Sequence, residues 1–292
     1  MAENTAIGFD VGGTNIRAAR ISTSGQVLDW KAQPTQVDPP KFVAQIANLI
    51  HKLKDDSVRA IGIGLPGRID SSHQRILSGG YVDLTDFPLA AKMQEFFAGP
   101  VFLDNDGNMA LVGEQAVGRG RGVENILMFT IGTGIGGAII NKGSIFRGRA
   151  TAGQFGHLTV DVNGEQCLCG RRGCVETTSS GTAFKGHVLS AGLIPETTVE
   201  DLLLSSAEGN KTATDVLARW ILPLRAAIDS AVAAFDPDLV LLGGGLGISS
   251  HLALQKFPAK SAWYRCGIEP AELGDRAGVI GAGLSALALL KQ

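Results

Sequence analysis

The 292-residue chain is poor in charge and in aromatic side chains: Asp, Glu, Lys and Arg make up 18% of it, and Phe, Trp and Tyr 6%. Its formal net charge is −2, and the Lys and Arg residues form no dense block. Because binding to a nucleic-acid backbone or an anionic membrane depends on concentrated positive charge, neither is an expected partner. A small molecule is expected instead.

Long hydrophobic runs are also missing. The longest apolar stretches, such as LVLL and LSALALL, are far shorter than the ~20 residues of a membrane span, and MAENTAIGFD has no secretory signal pattern. The sequence therefore predicts a cytoplasmic protein. Of only four cysteines, Cys167, Cys169 and Cys174 lie within eight residues. In a reducing compartment, such a cluster is more often a metal site than a disulfide.

What the chain has in abundance is glycine, with 39 residues, and apolar side chains, at 45%. Apolar runs that end in glycine or polar clusters alternate with segments of helical period, which predicts an α/β protein with mixed sheets and two lobes. The predicted strands cover residues 6–11, 16–22, 26–33, 60–65, 101–104, 126–132, 136–143, 157–162 and 238–244. The predicted helices cover residues 41–55, 89–97, 108–117, 181–191, 199–207, 213–235, 250–257 and 278–291.

Two segments, IGFDVGGTNIRAARIS and ILMFTIGTGIGGAIIN, repeat one pattern of strand, glycine turn and strand about 120 residues apart. Each predicts a β-hairpin whose glycines leave backbone N–H groups open to phosphate, although either one alone also fits an ordinary tight turn. GTGIGG satisfies the dinucleotide pattern G-x-G-x-x-G, but a strand follows it instead of a helix, which argues against a Rossmann site.

Polar residues around the first hairpin favour a phosphate and metal site. Asp10 can hold a hydrated Mg²⁺ through water, Thr14 and Asn15 can donate hydrogen bonds, and Arg17 adds positive charge. In DPDLVLLGGGLG a buried strand runs into glycines at 243–247, where a flat base or sugar can lie against the backbone. A plain strand-to-helix turn is the alternative there.

Asp104, Asn105 and Asp106 stand between a predicted strand and a helix. Helix capping is one interpretation, since Asp and Asn are favoured caps. The other is that Asp106 is a general base, which accepts the proton of a hydroxyl as that hydroxyl attacks a γ-phosphoryl group. Asn105 would then position neighbouring hydroxyls.

Seven segments of the chain follow one another as in a known family: FDVGGTNIRAAR, LPGRID, LDNDGN, TIGTGIGGAI, GQFGHLTV, CLCGRRGCVE and DLVLLGGGLG. In these segments, from about residue 6 to the C-terminus, the chain resembles the ROK family of bacterial sugar kinases, repressors and related proteins. The resemblance implies an actin-like ATPase fold, RNase H-like and hexokinase-type, with ATP and sugar in a cleft between two lobes. The lobes would be residues 1–117, completed by a helix at 278–292, and residues 118–277. It also implies a homodimer.

The resemblance assigns roles to matching positions. The ATP and Mg²⁺ contacts, with Asp10 at the magnesium, would be Asp10, Gly12, Gly13, Thr14, Asn15, Arg17, Thr130, Gly132, Thr133, Gly134, Gly136, Gly137, Gly243, Gly244, Gly245 and Gly247. The sugar contacts, with Asp106 as the catalytic base, would be Gly67, Arg68, Asn105, Asp106, Gln154, His157 and Glu176. A Cys3His set typical of closed, structural zinc would comprise His157, Cys167, Cys169 and Cys174.

Gln154 departs from the family pattern, in which a glutamate stands at this position. A carboxylate accepts two hydroxyl hydrogen bonds with charge assistance, whereas an amide offers one acceptor and one donor group. The change is expected to weaken sugar binding by ~1–2 kcal/mol or to alter the preference at the C1/C2 end of the sugar. Cys266, the remaining cysteine, is expected to be an isolated thiol.

These features predict an ATP-dependent hexose kinase, similar to glucokinase, that phosphorylates the sugar 6-hydroxyl. Alternative substrates are N-acetylglucosamine, N-acetylmannosamine and fructose. A sugar-responsive repressor is a further alternative, but it would require a helix-turn-helix domain before the first phosphate motif, which here starts at once. A sugar-binding protein without turnover is the last alternative, and Gln154 is the reason to consider it.

Overall fold

The computed structural model of the protein describes residues 3–70, 72–78, 82–259 and 265–291. The chain divides into two units, each with its own sheet. Unit 1 comprises Met1–Gly122, Ile145–Ala152 and Asp275–Gln292, and unit 2 comprises Val123–Ser144 and Gly153–Gly274. The chain therefore contributes to unit 1 in three separate passages.

Unit 1 is a mixed sheet covered by helices on both faces. Its N-terminal passage forms, in chain order, β1 Thr5–Val11, β2 Asn15–Ser22, β3 Val27–Pro34, α1 Pro39–Leu53, β4 Val58–Leu65, β5 Arg68–Ile69, β6 Ile76–Ser78, α2 Leu89–Gln94, β7 Val101–Asn105 and α3 Asp106–Val117. The main sheet has the order β3-β2-β1-β4-β7, and β5 pairs with β6 separately. The first three strands are antiparallel, whereas β1, β4 and β7 are parallel.

Unit 2 contains a second mixed sheet, of order β10-β9-β8-β11-β12. Here β8 pairs antiparallel with β9 and parallel with β11, which is parallel to β12. Its elements, followed by the last helix of the chain, which belongs to unit 1, are β8 Ile126–Ile131, β9 Ile135–Asn141, β10 Ser144–Ile145, α4 Glu176–Ser179, α5 Gly181–Ser190, α6 Val199–Ala207, α7 Lys211–Phe235, β11 Leu239–Gly243, α8 Gly247–Lys256, β12 Gly267–Pro270 and α9 Ala277–Ala288.

The two sheets have the same topology: an antiparallel hairpin first, then parallel strands added beside its first strand. The hairpins β1–β2 and β8–β9 are the two segments whose sequences repeat each other. This arrangement confirms the predicted α/β class with mixed sheets. Over the part of the chain that the structure describes, no helix is both long and apolar enough to cross a membrane.

One predicted strand is wrong. Residues 157–162 form no strand: Phe155–His157 is a single 3₁₀ turn, and Thr159 makes only an isolated bridge to Cys174. The N–H groups of Val160 and Asp161 both donate to the Gly173 carbonyl, at 2.8 and 3.4 Å, so the segment curls around the cysteine loop instead of joining a sheet. The alternating apolar residues that predicted a strand, Leu158, Val160 and Val162, lie within this curled segment.

Several helix boundaries also differ from the prediction, most clearly at the N-termini. Helix α3 begins at Asp106, two residues before the predicted start, and α8 begins at Gly247, three residues before it. The first residues of both helices, DGN in α3 and GISS in α8, carry no apolar period, and Ile248 in α8 is 63% exposed. Helix α9 ends as an α-helix at Ala288, and a 3₁₀ turn continues it to Lys291.

Large and small side chains alternate along the central strands of unit 1. On one face, Ile7 and Ile61 pack in the core with α1 and α2. On the other, Ala6 and Ala60 lie in the cluster that contains Ala282 of α9, and the glycines Gly8 and Gly62 continue the same alternation. Because side chains in a strand alternate between faces, this pattern sorts bulky residues to α1 and small ones to α9.

The small residues allow helix α9 to pack backbone against backbone on the sheet. A Cβ on Gly8 would overlap the carbonyl oxygen of Val279, and a Cβ on Gly62 would overlap that of Ala282. These obstacles are main-chain atoms, which cannot rotate away as the end of a side chain can. Helix α9 can therefore lie this close to the sheet only because Gly8 of β1 and Gly62 of β4 have no side chains.

We expect Gly62→Ala to lower the free energy of unfolding by roughly 1–3 kcal/mol, since the added methyl must displace the α9 backbone. Denaturant titration measures this change. Gly186→Ala in α5 is the control, because that glycine is exposed and a Cβ there meets nothing within 4 Å. Replacing an exposed helical glycine by alanine stabilises a protein by up to about 1 kcal/mol. Equal effects of the two substitutions would contradict the packing argument.

Candidate active site

The turn between β1 and β2 is closed by hydrogen bonds on both sides. The N–H of Gly12 donates to the Asn15 carbonyl at 3.0 Å, and the Thr35 hydroxyl donates to the Gly12 carbonyl at 2.7 Å. Thr35 N–H also donates to the Thr14 carbonyl at 2.9 Å. These bonds occupy the carbonyl groups of Gly12, Thr14 and Asn15. Gly12 and Gly13 are half-buried and Thr14 is exposed.

Asp10, the last but one residue of β1, lies among charged groups. Arg17, opposite it in the register of the hairpin, approaches it at 3.4 Å and also bonds to Asp275 at 2.9 Å. Burial, followed by the negative charge of Asp106, raises the pKa of Asp10 to about 7, although Arg17 opposes this rise. Two carboxyl groups that repel each other in a poorly solvated place form a site at which a divalent cation is favoured.

Asp275 and Gly278 also belong to this site, although the sequence pattern indicates neither of them. A Cβ on Gly278 would lie 2.7 Å from the Asp10 carboxyl carbon, so the start of α9 can pack against the carboxyl group only as glycine. Asp275 meets Arg17 across 258 positions of sequence. Neither residue stands in a recognisable motif, and only the packing of α9 brings them to the hairpin.

Asn105 and Asp106 mark the point where β7 passes into α3. Asn105 is the N-cap: its side-chain oxygen accepts from the N–H groups of Gly107, at 2.9 Å, and Asn108, at 3.4 Å. Its amide nitrogen donates to the Gly67 carbonyl at 3.0 Å. The capping interpretation therefore holds for Asn105, whose amide also ties the loop at Gly67 to the helix.

Asp106 is the first residue of α3, and its Oδ1 accepts a hydrogen bond from the N–H of Gly107 at 2.9 Å. Burial raises the pKa of its carboxyl group, and the hydrogen bonds at the helix start oppose that rise. General bases are frequently carboxyl groups whose pKa is raised by burial.

The two residues of LPGRID predicted to contact sugar lie just after β4. Gly67 has a φ of +111°, a backbone conformation that favours glycine. Arg68 begins β5, its N–H donates to the Ser78 hydroxyl at 3.3 Å, and its side chain is exposed. The structure thus brings Gly67, but not the Arg68 side chain, into direct contact with Asn105.

The second glycine turn lies between β8 and β9 in unit 2. It is closed by the N–H of Gly132, which donates to the Gly134 carbonyl at 2.9 Å. The N–H of Ile135 donates to a Glu176 carboxylate oxygen at 2.8 Å. A Cβ on Gly134 would lie 2.5 Å from that same oxygen, so glycine is needed there for Glu176 to reach the turn.

Other contacts around this turn come from neighbouring elements of unit 2. The Thr182 hydroxyl donates to the Thr133 carbonyl at 2.9 Å. A Cβ on Gly136 would lie 2.7 Å from the Thr130 hydroxyl oxygen, its partner across the hairpin, and Gly137 lies opposite Phe129. The turn is therefore fixed by Glu176 and Thr182, and its glycines allow these neighbours to approach the backbone closely.

The glycine run after β11 lies beside the same hairpin. Gly243 is opposite Thr130 in the parallel pairing of β11 with β8, and Gly247 begins α8. Gly244 has a φ of +78°, and Gly245 is exposed with nothing within 4 Å of a Cβ position. A strand end with open backbone leads directly into a helix, which is the arrangement that the sequence predicted.

The cysteine cluster brings four donor groups together. One donor atom from each of His157, Cys167, Cys169 and Cys174 lies within 4.8 Å of every other. The His157 Nδ1 is 3.7 Å from the Cys167 sulfur, and the Cys169 and Cys174 sulfurs are 3.6 Å apart. A tetrahedral zinc with Zn–S bonds of ~2.3 Å sets its ligands ~3.5–3.8 Å apart. The four residues are thus compatible with structural zinc.

Gln154 stands just before the 3₁₀ turn that carries His157, and its carbonyl accepts the N–H of His157 at 3.1 Å. Its side chain is exposed. Gln154, His157, Glu176 and the cysteines all belong to unit 2, whereas Asp10, Asn105 and Asp106 belong to unit 1.

The fold has close counterparts among solved structures. The ROK family glucokinase from Streptomyces griseus, solved in complex with glucose and AMPPNP, superimposes with a TM-score of 0.80 and 26% identity over 98% of this chain and 100% of that one. The class defined by the duplicated sheets and glycine hairpins is thus the actin-like ATPase fold of the hexokinase type. Within that class the chain belongs to the ROK family, whose sequence profile matches residues 6–290.

Two relatives in the family match the chain nearly end to end. The glucokinase of Halalkalibacterium halodurans is 32% identical over 97% of this chain and 95% of its own length. The N-acetylmannosamine kinase of Yersinia pseudotuberculosis is 31% identical over 97% and 99%, respectively. The chain is therefore about equally similar to enzymes named for two different sugars.

For the cysteine cluster, we expect one zinc per chain that survives gel filtration and is measured by elemental analysis. Chelation should lower the melting temperature, because the metal joins His157 to the cysteine loop. Cys169→Ser should remove the metal, whereas Cys266→Ser, which alters the cysteine outside the cluster, should retain it. A zinc-free preparation of undiminished stability would show that the cluster is not a zinc site.

Proposed function

We propose that the protein is an ATP-dependent sugar kinase that transfers the γ-phosphoryl group to the 6-hydroxyl of a hexose. The observation that carries this proposal is the setting of Asp106, a carboxyl group of raised pKa at the start of α3, near enough to Asp10 for their charges to interact. The turn between β1 and β2, which follows Asp10, would bind the phosphates of ATP and Mg²⁺. The relatives named glucokinase and N-acetylmannosamine kinase support the same reaction class.

In this mechanism, Asp106 accepts the proton of the attacking sugar hydroxyl. The hydroxyl oxygen forms a bond to the γ-phosphorus as the bond between that phosphorus and the bridging oxygen of ADP breaks. The proton ends on Asp106 and the electron pair on ADP. The cap made by Asn105 fixes the first turn of α3, and so fixes the carboxyl group where the hydroxyl must be bound.

Phosphate binding is assigned to the two glycine turns and the residues beside them. In unit 1, Asp10 would hold Mg²⁺ through water, and backbone N–H groups of the turn would bind phosphate oxygens. Bound Mg²⁺ neutralises charge on the phosphates during transfer. In unit 2 the turn at 132–137 binds phosphate and the glycines at 243–247 bind adenosine. The crowding of Asp10 with Asp106 and Asp275 fits a bound cation.

Sugar binding is assigned to Gly67, Asn105, Gln154, His157 and Glu176. The Nδ1 of His157 faces the sulfur of Cys167, so its Nε2 is the nitrogen available for a sugar hydroxyl. Glu176 uses Oε2 to accept from Ile135, which leaves Oε1 for a hydroxyl. Arg68, exposed in the structure, is a weaker candidate for a contact.

Gln154 is the reason to keep a second substrate class. The chain is 32% identical to a glucokinase and 31% identical to an N-acetylmannosamine kinase, so overall similarity does not decide between them. An amide can donate to an acyl oxygen, which a carboxylate cannot do. An N-acylated hexosamine is therefore the alternative substrate, with fructose behind it.

Other properties implied by the family remain proposals. These are a homodimeric state, a cytoplasmic location, where ATP is available and thiols stay reduced, and the lack of a nucleic-acid partner. The repressor and the binding protein without turnover are the competing functions, and sugar-dependent release of ADP would separate a kinase from both.

Asp106→Asn should lower kcat roughly 10²–10⁴-fold, because the amide cannot accept the proton. The measurement is ADP release with glucose, N-acetylmannosamine, N-acetylglucosamine and fructose. Asp215→Asn removes the same charge at an exposed position of α7 and should leave the rate unchanged. Full activity of Asp106→Asn would overturn the proposed base, and no turnover of any sugar by the wild type would overturn the kinase.

Gln154→Glu should tighten the binding of an unsubstituted hexose by ~1–2 kcal/mol, roughly a five- to thirtyfold fall in KM, because a carboxylate accepts two charge-assisted hydrogen bonds. The same substitution should disfavour an N-acylated hexosamine. The ratio of kcat/KM for glucose to that for N-acetylmannosamine measures the change. An unaltered ratio would mean that residue 154 does not contact the variable end of the sugar.

A further inference from the structure

We propose that Arg147 is a positioning residue for the catalytic carboxylate: through Asp104 it fixes the end of β7 that carries Asn105 and Asp106. This inference rests on the proposed kinase function and extends it to a residue outside the motifs of the sequence. Arg147 stands in IFRGRA, a segment without motif or period. It belongs to the passage Ile145–Ala152, by which the chain enters unit 1 for the second time.

Arg147 binds Asp104 with two nitrogens. Its Nε donates to the Asp104 Oδ2 at 2.9 Å, and its Nη2 donates to the same oxygen at 2.6 Å. The Asp104 side chain is only 5% exposed, whereas that of Arg147 is 32% exposed. A carboxylate so deeply buried requires a charged partner, and Arg147 is the cation that meets it. Charge-assisted bonds of this kind are short and directional.

The other oxygen of Asp104 transmits this restraint to the site. Its Oδ1 accepts from the backbone N–H of Asn105 at 2.7 Å and from the Asn108 side-chain amide at 2.9 Å. These two residues flank Asp106 and Gly107 in the chain. Asp104 thus binds the first turn of α3 on both sides of the proposed base, and Arg147 determines the orientation of Asp104.

The conformation of Arg147 is fixed by its own segment. Its carbonyl accepts from the N–H groups of Ala150, at 2.9 Å, and Ala152, at 3.2 Å, which closes a turn around it. Within that turn Gly148 and Arg149 are exposed, and Arg147 is half-buried. The segment presents one arginine to the strand end and another to solvent. Two residues beyond the turn, the chain reaches Gln154.

The role of Arg147 is tested with Arg147→Met, which keeps the length of the side chain and removes its charge. We expect kcat to fall at least tenfold and the KM for the sugar to rise, while the KM for ATP stays within twofold of wild type. That split is the mark of a residue that acts on the Asn105 and Asp106 end of the site. The matched control is Arg149→Met, in the same turn, which should leave all constants unchanged.

Two further variants keep the test decisive if Arg147→Met does not fold. Arg147→Lys keeps a positive charge but loses the two-nitrogen contact, and should lower kcat at least threefold. Asp104→Asn with Arg147→Met removes both charges together, and should recover part of the kcat lost in Arg147→Met or, if that variant is unfolded, yield a folded protein. A folded Arg147→Met or Arg147→Lys with wild-type kcat and sugar KM would overturn the proposal.

Hydrogen–deuterium exchange separates this inference from the kinase proposal. Amides in residues 101–110 should exchange faster in Arg147→Met than in wild type or Arg149→Met, whether or not a sugar is turned over. If the wild type phosphorylates no sugar but exchange increases, the kinase proposal fails and the restraint by Arg147 stands. If the wild type is active and neither exchange nor kinetics changes, the role of Arg147 is wrong.

Discussion

The contact of helix α9 with the sheet of unit 1, backbone against backbone, is the constraint on which the rest of that unit depends. The α9 backbone lies so close to the strands that no side chain fits at Gly8 or Gly62. This packing brings Asp275 to Arg17 and Gly278 to Asp10. The charged groups around the first glycine turn therefore include Asp275, which stands just before this helix and 258 positions from Arg17 in sequence.

The polar groups of unit 1 are arranged so that their interactions oppose one another. Asp10 is pushed toward its neutral form by burial and by Asp106, and toward its charged form by Arg17. Asp104, two residues before the proposed base, is instead paired with Arg147 and hydrogen-bonded through both oxygens. The difference has chemical sense, because a carboxyl group that must hold a cation or accept a proton should be less satisfied than one that only holds the chain.

Much of this could be predicted from the sequence, since the hairpins, the β7–α3 junction and the cysteine cluster each lie within a short segment with its own pattern. The prediction of a strand at 157–162 was wrong, because these alternating apolar residues lie in a loop that curls around the cysteines. Arg147, Asp275 and Gly278 could not be found, because their partners lie 43, 258 and 268 positions away. Local pattern carries no information about such pairs, which depend on tertiary packing.

In unit 2, residues 157–176 include both the four possible zinc ligands and the carboxylate that contacts the second glycine turn. His157 and Glu176 are proposed to bind sugar, yet His157 is part of the Cys3His cluster and Glu176 accepts the N–H of Ile135 in the glycine turn. Cys174 stands two residues before Glu176, so the cysteine cluster restrains the backbone that carries the Glu176 carboxylate. If the cluster holds zinc, the metal would order both the residues proposed to bind sugar and the second glycine turn. Its loss should then weaken sugar and nucleotide binding together, because Glu176 connects the two.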